Sequence, residues 1–401
     1  MKKISERVYA VGVNDDDKVL FEGLWPLPYG VSYNSYLVVD EKVALIDTVE
    51  TGFEEDFIDN IEAALCGRCV DYLVVNHMEP DHSSLISYMI DRYPALKLVA
   101  NSKTLPMLKG YYDVPQEKVV IMGEGQSLCL GGCNLRFHMI PMVHWPETMV
   151  TYLEEEATLF SGDAFGTYGR VDAAAVEYEG AFDVYKDEMI RYYATIVGKY
   201  GAPVQAALKK LSDLKLNRIC STHGPVWEES VPDVVSLYDR MSRYEVDRGV
   251  CIVYGSMYGN TAAAADALAI ELEKRGIPFA IHDLAGNNCG ELGLSGALRD
   301  VFKFDTIVTG SPTYNGAIFP PVESFMRALS GRGIHNRRFF AFGSYTWAAA
   351  SVRLLNNMAR EMNFNLLGDG LTFPQAYSAD KCNMSKVADL LISRCQTMPI
   401  L

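Results

Sequence analysis

His77-Met78-Glu79-Pro80-Asp81-His82 places four metal-binding side chains within six residues. It follows Tyr72-Leu73-Val74-Val75, an apolar run that reads as a buried strand. A strand that ends in a loop of imidazoles and carboxylates is how a sheet protein builds a metal site. The third residue matters most. A histidine there would suit zinc, whereas Glu79 adds a hard carboxylate and tilts the donor set toward iron or manganese.

Seven histidines occur in the chain: His77, His82, His138, His144, His223, His282 and His335. His144 stands in Met142-Val143-His144-Trp145-Pro146, just past a strand ending at Ile140. His223 stands in Cys220-Ser221-Thr222-His223-Gly224-Pro225, past a strand over 217–220. Asp163 closes Leu159-Phe160-Ser161-Gly162-Asp163. Each candidate lies just beyond a strand, often beside Gly or Pro, where loops from different strands can converge. Pro80 biases Glu79 toward extended backbone and Pro146 restricts Trp145. Any one of these residues alone reads as a hydrogen-bonded loop residue; four histidines and three carboxylates together read as a metal site. The order of motifs resembles the metallo-β-lactamase fold, with Asp47 ending an early strand and then HxHxDH, His, Asp, His. Here Glu79 takes the second position. His138 falls outside that order and is expected to pack in or beside the sheet.

Two metals need a ligand that spans them. A carboxylate has two oxygens and can do so, whereas an imidazole normally serves one metal. Asp163, alone on its loop, is the natural bridge. The others divide into His77, Glu79 and His144 for one metal and Asp81, His82 and His223 for the other. That division leaves an open face for a small molecule.

Strand and helix patterns interleave through the first part, with Glu54 to Leu65 a helix and Val43 to Ile46 a strand. The order suits an α/β αββα sandwich over residues 1–248. From residue 249 to 401 strands and helices alternate regularly, as in a five-strand, doubly wound parallel sheet. Asp247-Arg248-Gly249 reads as the polar link between them.

The second part opens with Ser256-Met257-Tyr258-Gly259-Asn260-Thr261 between a strand and a helix. Small and hydroxyl residues with a helix N-terminus can wrap a phosphate, and the absence of Lys argues against a triphosphate P-loop. Pro312-Thr313-Tyr314-Asn315-Gly316 follows the third strand and Ser344-Tyr345-Thr346-Trp347 the fourth. Both fall where such a sheet binds ligands. Tyr314 with Tyr345 or Trp347 can stack on a planar ring. Three such loops together favour FMN. The domain resembles flavodoxin, with Tyr258 where many flavodoxins carry Thr.

A metallo-β-lactamase-like domain with this Glu-containing motif, followed by a flavodoxin-like domain, resembles the flavodiiron proteins. The resemblance covers nearly the whole chain. Up to Leu401 there is no four-cysteine rubredoxin segment and no flavin reductase extension, so it is to the minimal two-domain class. It implies two non-haem irons and FMN. The implied activity is reduction of O₂ to water, of NO to N₂O, or both, with O₂ favoured. Two ferrous ions and reduced FMN hold the four electrons that O₂ needs. Rubredoxin or a similar protein is the implied donor, with coenzyme F420H₂ as an alternative. Head-to-tail homodimers or homotetramers are implied, with Trp347 facing the partner's metals. Tyr193 is matched to the tyrosine that family members place behind the metal ligands. A zinc-dependent hydrolase is the competing reading, and Glu79 argues against it.

Composition fits. Apolar residues make up 49%, enough for two cores, and charged residues 22%, which excludes bulk disorder. The net charge is −15 and lies in the first part, where 23 Lys and Arg face 39 Asp and Glu over residues 1–249. Such a surface speaks against nucleic acid or an anionic membrane as partner. The N-terminus lacks an apolar signal segment, and nine scattered cysteines, Cys66 and Cys69 among them, suit reduced thiols in the cytoplasm.

Overall fold

A computed structural model describes residues 1–171, 176–286 and 290–393. All four residues of Val43–Ile46 are apolar and buried. This strand pairs antiparallel with Tyr36–Val39 and parallel with Tyr72–Val74. A strand covered on both faces needs such an unbroken apolar run. The sheet around it has seven strands, in the order Lys2–Lys3, Val8–Ala10, Tyr36–Val39, Val43–Ile46, Tyr72–Val74, Lys97–Ala100 and Val119–Ile121. A second sheet of five runs Ser127–Cys129, Asn134–Met139, Met149–Leu153, Thr158–Gly162 and Arg218–Ser221.

One core joins the two sheets. Val38, Ala44, Ile46, Val74 and Val99 of the first pack with Leu135, Phe137, Met149, Leu153 and Phe160 of the second. Tyr36 bridges them, its ring 5.5 Å from Phe160 and its hydroxyl donating to the Ser221 carbonyl at 2.7 Å. Helix Glu54–Leu65 buries Phe57, Ile58, Ile61 and Leu65, the i, i+4, i+8 stripe of an amphipathic helix. Truncating Ile61 to Ala would cost about 2–5 kcal/mol.

The chain divides into two compact units, residues 1–21 with 27–243, and residues 22–26 with those from 244 onward. The second unit holds a parallel sheet in the order Phe279–Asp283, Asp247–Tyr254, Phe304–Gly310, Arg338–Tyr345. Its far edge is shared by Asn365–Leu366 and Leu371–Pro374. This is the 2-1-3-4-5 order of a flavodoxin-like sheet. Asp247-Arg248-Gly249, read from sequence as a link, is instead the start of the first strand. Glycine is required there by packing, because a Cβ on Gly249 would sit 2.2 Å from the Phe304 ring.

Other differences are local. Helix Ala181–Tyr192 widens at its end into a π-helical turn over Tyr193–Val197. The helix Gly293–Lys303 and the strand Lys97–Ala100 had no reading from sequence. Among the described residues no helix is long and apolar enough to cross a membrane.

Candidate metal centre and flavin site

The metal-type residues converge from the ends of four strands. His77 follows Tyr72–Val74, and Asp81 and His82 sit on the single helical turn Pro80–Ser83. Pro80 opens that turn, and Glu79 before it is extended, with φ −59° and ψ 133°, as a residue preceding proline should be. His144, Asp163 and His223 come from the ends of Asn134–Met139, Thr158–Gly162 and Arg218–Ser221.

They form two groups. His77, Glu79, His144 and Asp163 bring ligand atoms within 4.8 Å of one another, and so do Asp81, His82 and His223. Asp163 faces both. Its Oδ2 lies 2.9 Å from His144 Nε2 and 3.3 Å from His77 Nε2. Its Oδ1 lies 3.4 Å from His82 Nε2 and 3.8 Å from His223 Nε2. One oxygen per group is the arrangement a bridging carboxylate needs.

The donor set fits metal ions. Four imidazoles turn Nε2 inward, and His82 Nε2 lies 3.0 Å from His223 Nε2. Neither Asp81 oxygen and neither His77 nitrogen has a hydrogen-bond partner, although all are buried. Buried polar atoms are rarely left so, and a cation would satisfy His77 Nε2 in one group, as it would the Asp81 carboxylate in the other. The electrostatics agree. Burial opposes charge on His144, yet the Asp163 and Glu79 carboxylates hold its pKa up to about 10. Asp163 is held well below the ordinary carboxylate range; burial works the other way, and His77 and His144 overcome it. The cluster therefore demands positive charge at its centre. With nitrogen and oxygen donors and no thiolate, iron, manganese and zinc all suit it.

Groups the sequence reading did not assign hold the ligands in place. His223 Nδ1 donates to the Ser32 carbonyl at 2.7 Å, which leaves Nε2 free to ligate. Thr222 Oγ1 donates to Asp163 Oδ1 at 2.6 Å. Asp47 is no ligand; it accepts from the Asn76 backbone and side chain at 2.8 and 2.9 Å. Asn76 accepts in turn from Thr151 at 2.8 Å, and this locks the residue before His77. Glu147 accepts from the Met78 backbone at 2.9 Å. Thr222 and Asn76 adjoin ligands and could have been suspected; nothing in the sequence marks Glu147. His138 is bound to Glu124 at 3.0 Å on its strand and is not part of either group.

The tyrosine pair divides differently from the sequence expectation. Tyr193 packs edge-on against Tyr238, with centroids 5.1 Å apart. Tyr192 is the one beside the cluster, 5.4 Å from the His223 ring. Its hydroxyl is buried without a hydrogen-bond partner, and its pKa is pushed far up by burial and then by Asp163, Glu79 and Asp81. Which of two adjacent tyrosines faces the metals is set by helical phase, and the wide turn beginning at Tyr193 alters that phase.

In the second unit the three expected loops line one cavity of about 420 Å³. Each lies at the carboxyl end of a strand. Helix Asn260–Lys274 begins there with no side-chain cap, and its first residues Asn260 and Thr261 line the cavity, where a helix N-terminus suits an anion. Gly259 supplies the left-handed turn into that helix, at φ 84°, and does not line the cavity. Thr261 and Ser344 hydroxyls meet at 3.0 Å across it. Tyr258 and Trp347 are 89% and 88% exposed, an unusual state for rings this large unless something covers them. Ala348 and Gln375 also line the cavity. Gln375 follows the edge strand, and its N–H donates to Tyr345 O at 2.7 Å.

A buried dinuclear nitrogen and oxygen site and a flavodoxin-type cavity in one chain define a metal-dependent flavoprotein oxidoreductase. Residues 31–224 match the ODP family beta lactamase and residues 252–384 match flavodoxin. The anaerobic nitric oxide reductase flavorubredoxin of Aliivibrio fischeri is 31% identical over 366 residues, covering 90% of this chain and 73% of that one. An uncharacterised protein of Methanocaldococcus jannaschii is 30% identical over 92% of this chain and 91% of its own. Rubredoxin oxygen:oxidoreductase from Desulfovibrio gigas superposes with a TM-score of 0.90 at 25% identity, over 97% of each chain. The flavodiiron protein from Giardia intestinalis gives 0.90 at 26%, over 97% and 95%. The chain belongs to the flavodiiron proteins, FMN- and di-iron-dependent reductases of O₂ and NO.

Proposed function

We propose that this enzyme is primarily an O₂ reductase, with NO as its second substrate. In this reading His77, Glu79, His144 and Asp163 hold one iron, and Asp81, His82, His223 and Asp163 the other. The observation that carries the site assignment is Asp163, with one oxygen turned to each group. Two irons held by these residues would supply ferrous/ferric couples and open positions for the gas, and FMN held in the cavity of the second unit would supply electrons.

The protein's own part is positional and electrostatic. Thr222 fixes the rotation of Asp163, and Ser32 fixes the tautomer of His223. The Asp47–Asn76–Thr151 chain anchors the loop bearing His77 to the second sheet. Tyr192, with its buried hydroxyl lacking a hydrogen-bond partner, is proposed for the role behind the metals that resemblance assigned to Tyr193. In the flavin cavity, the Ser256–Thr261 loop and its helix N-terminus would hold the phosphate. Tyr314, Asn315, Tyr345 and Trp347 line the same cavity and would hold the ring. The metal function is assigned to the first compact unit and the flavin function to the second, whose main segment begins at Tyr244 ahead of the strand Asp247–Tyr254. A rubredoxin-type donor, a head-to-tail homodimer or homotetramer and a cytoplasmic setting complete the proposal. The alternative donor is coenzyme F420H₂.

Anaerobic turnover with reduced rubredoxin tests it. The expected result is faster consumption of O₂ than of NO by protein carrying two irons and one FMN per chain. Faster NO consumption would reverse the preference. Two zincs and no iron after anaerobic purification would sink the whole assignment.

A further inference from the structure

Beside the flavin cavity the second unit has a separate groove of about 250 Å³. It begins at Ala349, the residue after Ala348 of the flavin cavity. One wall is the face of helix Ser351–Glu361 that carries Arg353, Asn356 and Arg360, spaced i, i+3, i+7. The other wall is Asp369 and Thr372 at the sheet edge. Among the described residues Arg353 has no hydrogen bond or ion pair, and Arg360 reaches only the neutral Asn357 Oδ1 at 3.0 Å. Asn356 is 3% exposed. Its Nδ2 donates to the Asp369 carbonyl at 2.8 Å, while its buried Oδ1 has no partner. Two arginines and one acid, Asp369, therefore line a groove together with Asn356, whose buried Oδ1 is unsatisfied.

We propose that this groove binds the anionic tail, phosphate or carboxylate, of a small organic electron donor. The proposal rests on the reading of the neighbouring cavity as the flavin site. Guanidinium forks match both anions in a bidentate way, and Asn356 Oδ1 accepts from a hydroxyl or amide of the same molecule. Residues 250–401 are near neutral, with 13 Lys and Arg against 12 Asp and Glu, and among the described residues Arg353 and Arg360 have no acidic partner. They give a negatively charged donor approaching the flavin a local positive anchor.

Calorimetric titration of the FMN-loaded full chain with inorganic pyrophosphate, and separately with citrate, tests this. The expected result is saturable 1:1 binding of at least one probe. Arg353→Gln with Arg360→Gln should weaken it at least tenfold, and Arg327→Gln, a surface arginine paired with Glu323, should not. Tighter pyrophosphate indicates a phosphate ester; tighter citrate indicates a carboxylate tail. No saturable binding, or equal binding by the double variant, overturns the proposal. So does a tenfold loss of rubredoxin-driven flavin reduction in the double variant without binding of either probe, which would make the groove a protein dock. Anion binding through these arginines in protein that takes up no FMN would support the groove and break the flavin reading alone.

Discussion

The metal loops and the flavin loops occupy equivalent places, the ends of strands, yet they are finished in opposite ways. Around the metal cluster every ligand is buried, and backbone or side-chain groups hold His223, Asp163 and the loop of His77. Around the flavin cavity the rings of Tyr258 and Trp347 stand in solvent. A small ion offers few contacts, so the protein must fix its ligands beforehand. FMN is large enough to order loops by its own contact area. Changes at the metal site should therefore act through geometry and charge at almost no distance. Changes at the flavin site should act through lost contact.

The sharpest test of the first half is Asp163→Ala. It removes the one oxygen pair that both groups share. Iron per chain should fall from two to below one, and gas reduction should fall by about three orders of magnitude or more, the loss of a whole metal-dependent pathway. FMN content should stay at one. Elemental analysis beside flavin absorbance reads this, and two retained irons would refute the bridging role. Glu79→His should act more mildly, lowering iron occupancy and oxidase activity, because an imidazole replaces a hard oxygen donor.

Thr222→Val asks whether the supporting bonds matter as much as the ligands. Valine keeps the shape and removes the 2.6 Å hydrogen bond to Asp163 Oδ1. Loss of such a supporting partner typically costs 10–100-fold in metal affinity or activity. Iron retention under a chelator should drop within about that range, with folding intact. An unchanged off-rate would mean that Asp163 is held by the metals alone.

How much of this contrast was legible beforehand follows from what each site is made of. The candidate ligands stood out because imidazole and carboxylate are rare together past strand ends, and Asp163 stood out as the carboxylate alone on its loop. The division into two groups followed from chemistry. Glu147 and Ser32 were silent, because one acts as a backbone-facing acceptor and the other through a carbonyl, which every residue has. Tyr192, not Tyr193, lies beside the cluster, and a one-residue change of helical phase leaves no trace in composition. Gly249 was misread as a linker because its reason, the Phe304 ring, lies 55 residues away in sequence. On the flavin side the loops were found by their small and aromatic residues. Gln375 was not, since an edge strand ending in Pro-Gln carries no phosphate or stacking signature.

Gly224→Ala probes the scaffold next to a ligand. The backbone there has φ 81°, and a Cβ would lie 2.2 Å from Thr167 Oγ1. Strain of about 1–3 kcal/mol is expected, seen as a lower thermal midpoint in the metal-free protein. Because Gly224 adjoins His223, metal affinity should fall as well. A midpoint shift without any change in iron would separate the turn from the ligand it follows.

The smallest effect should come from Trp347→Ala, and it tests the second half of the comparison. The ring is 88% exposed, so its removal should leave the stability of the FMN-free protein within about 0.5 kcal/mol. If the ring lies on the flavin, stacking of about 0.5–1.5 kcal/mol is lost, which corresponds to a Kd for FMN weaker by up to about tenfold. Fluorescence titration of the FMN-free chain with FMN and with riboflavin reads this directly. The two flavins share the ring and differ in the phosphate, so a stacking role weakens both by the same factor. A larger loss for FMN than for riboflavin would place the effect at the phosphate loop instead. An unchanged Kd for both would show that Trp347 covers something other than the flavin.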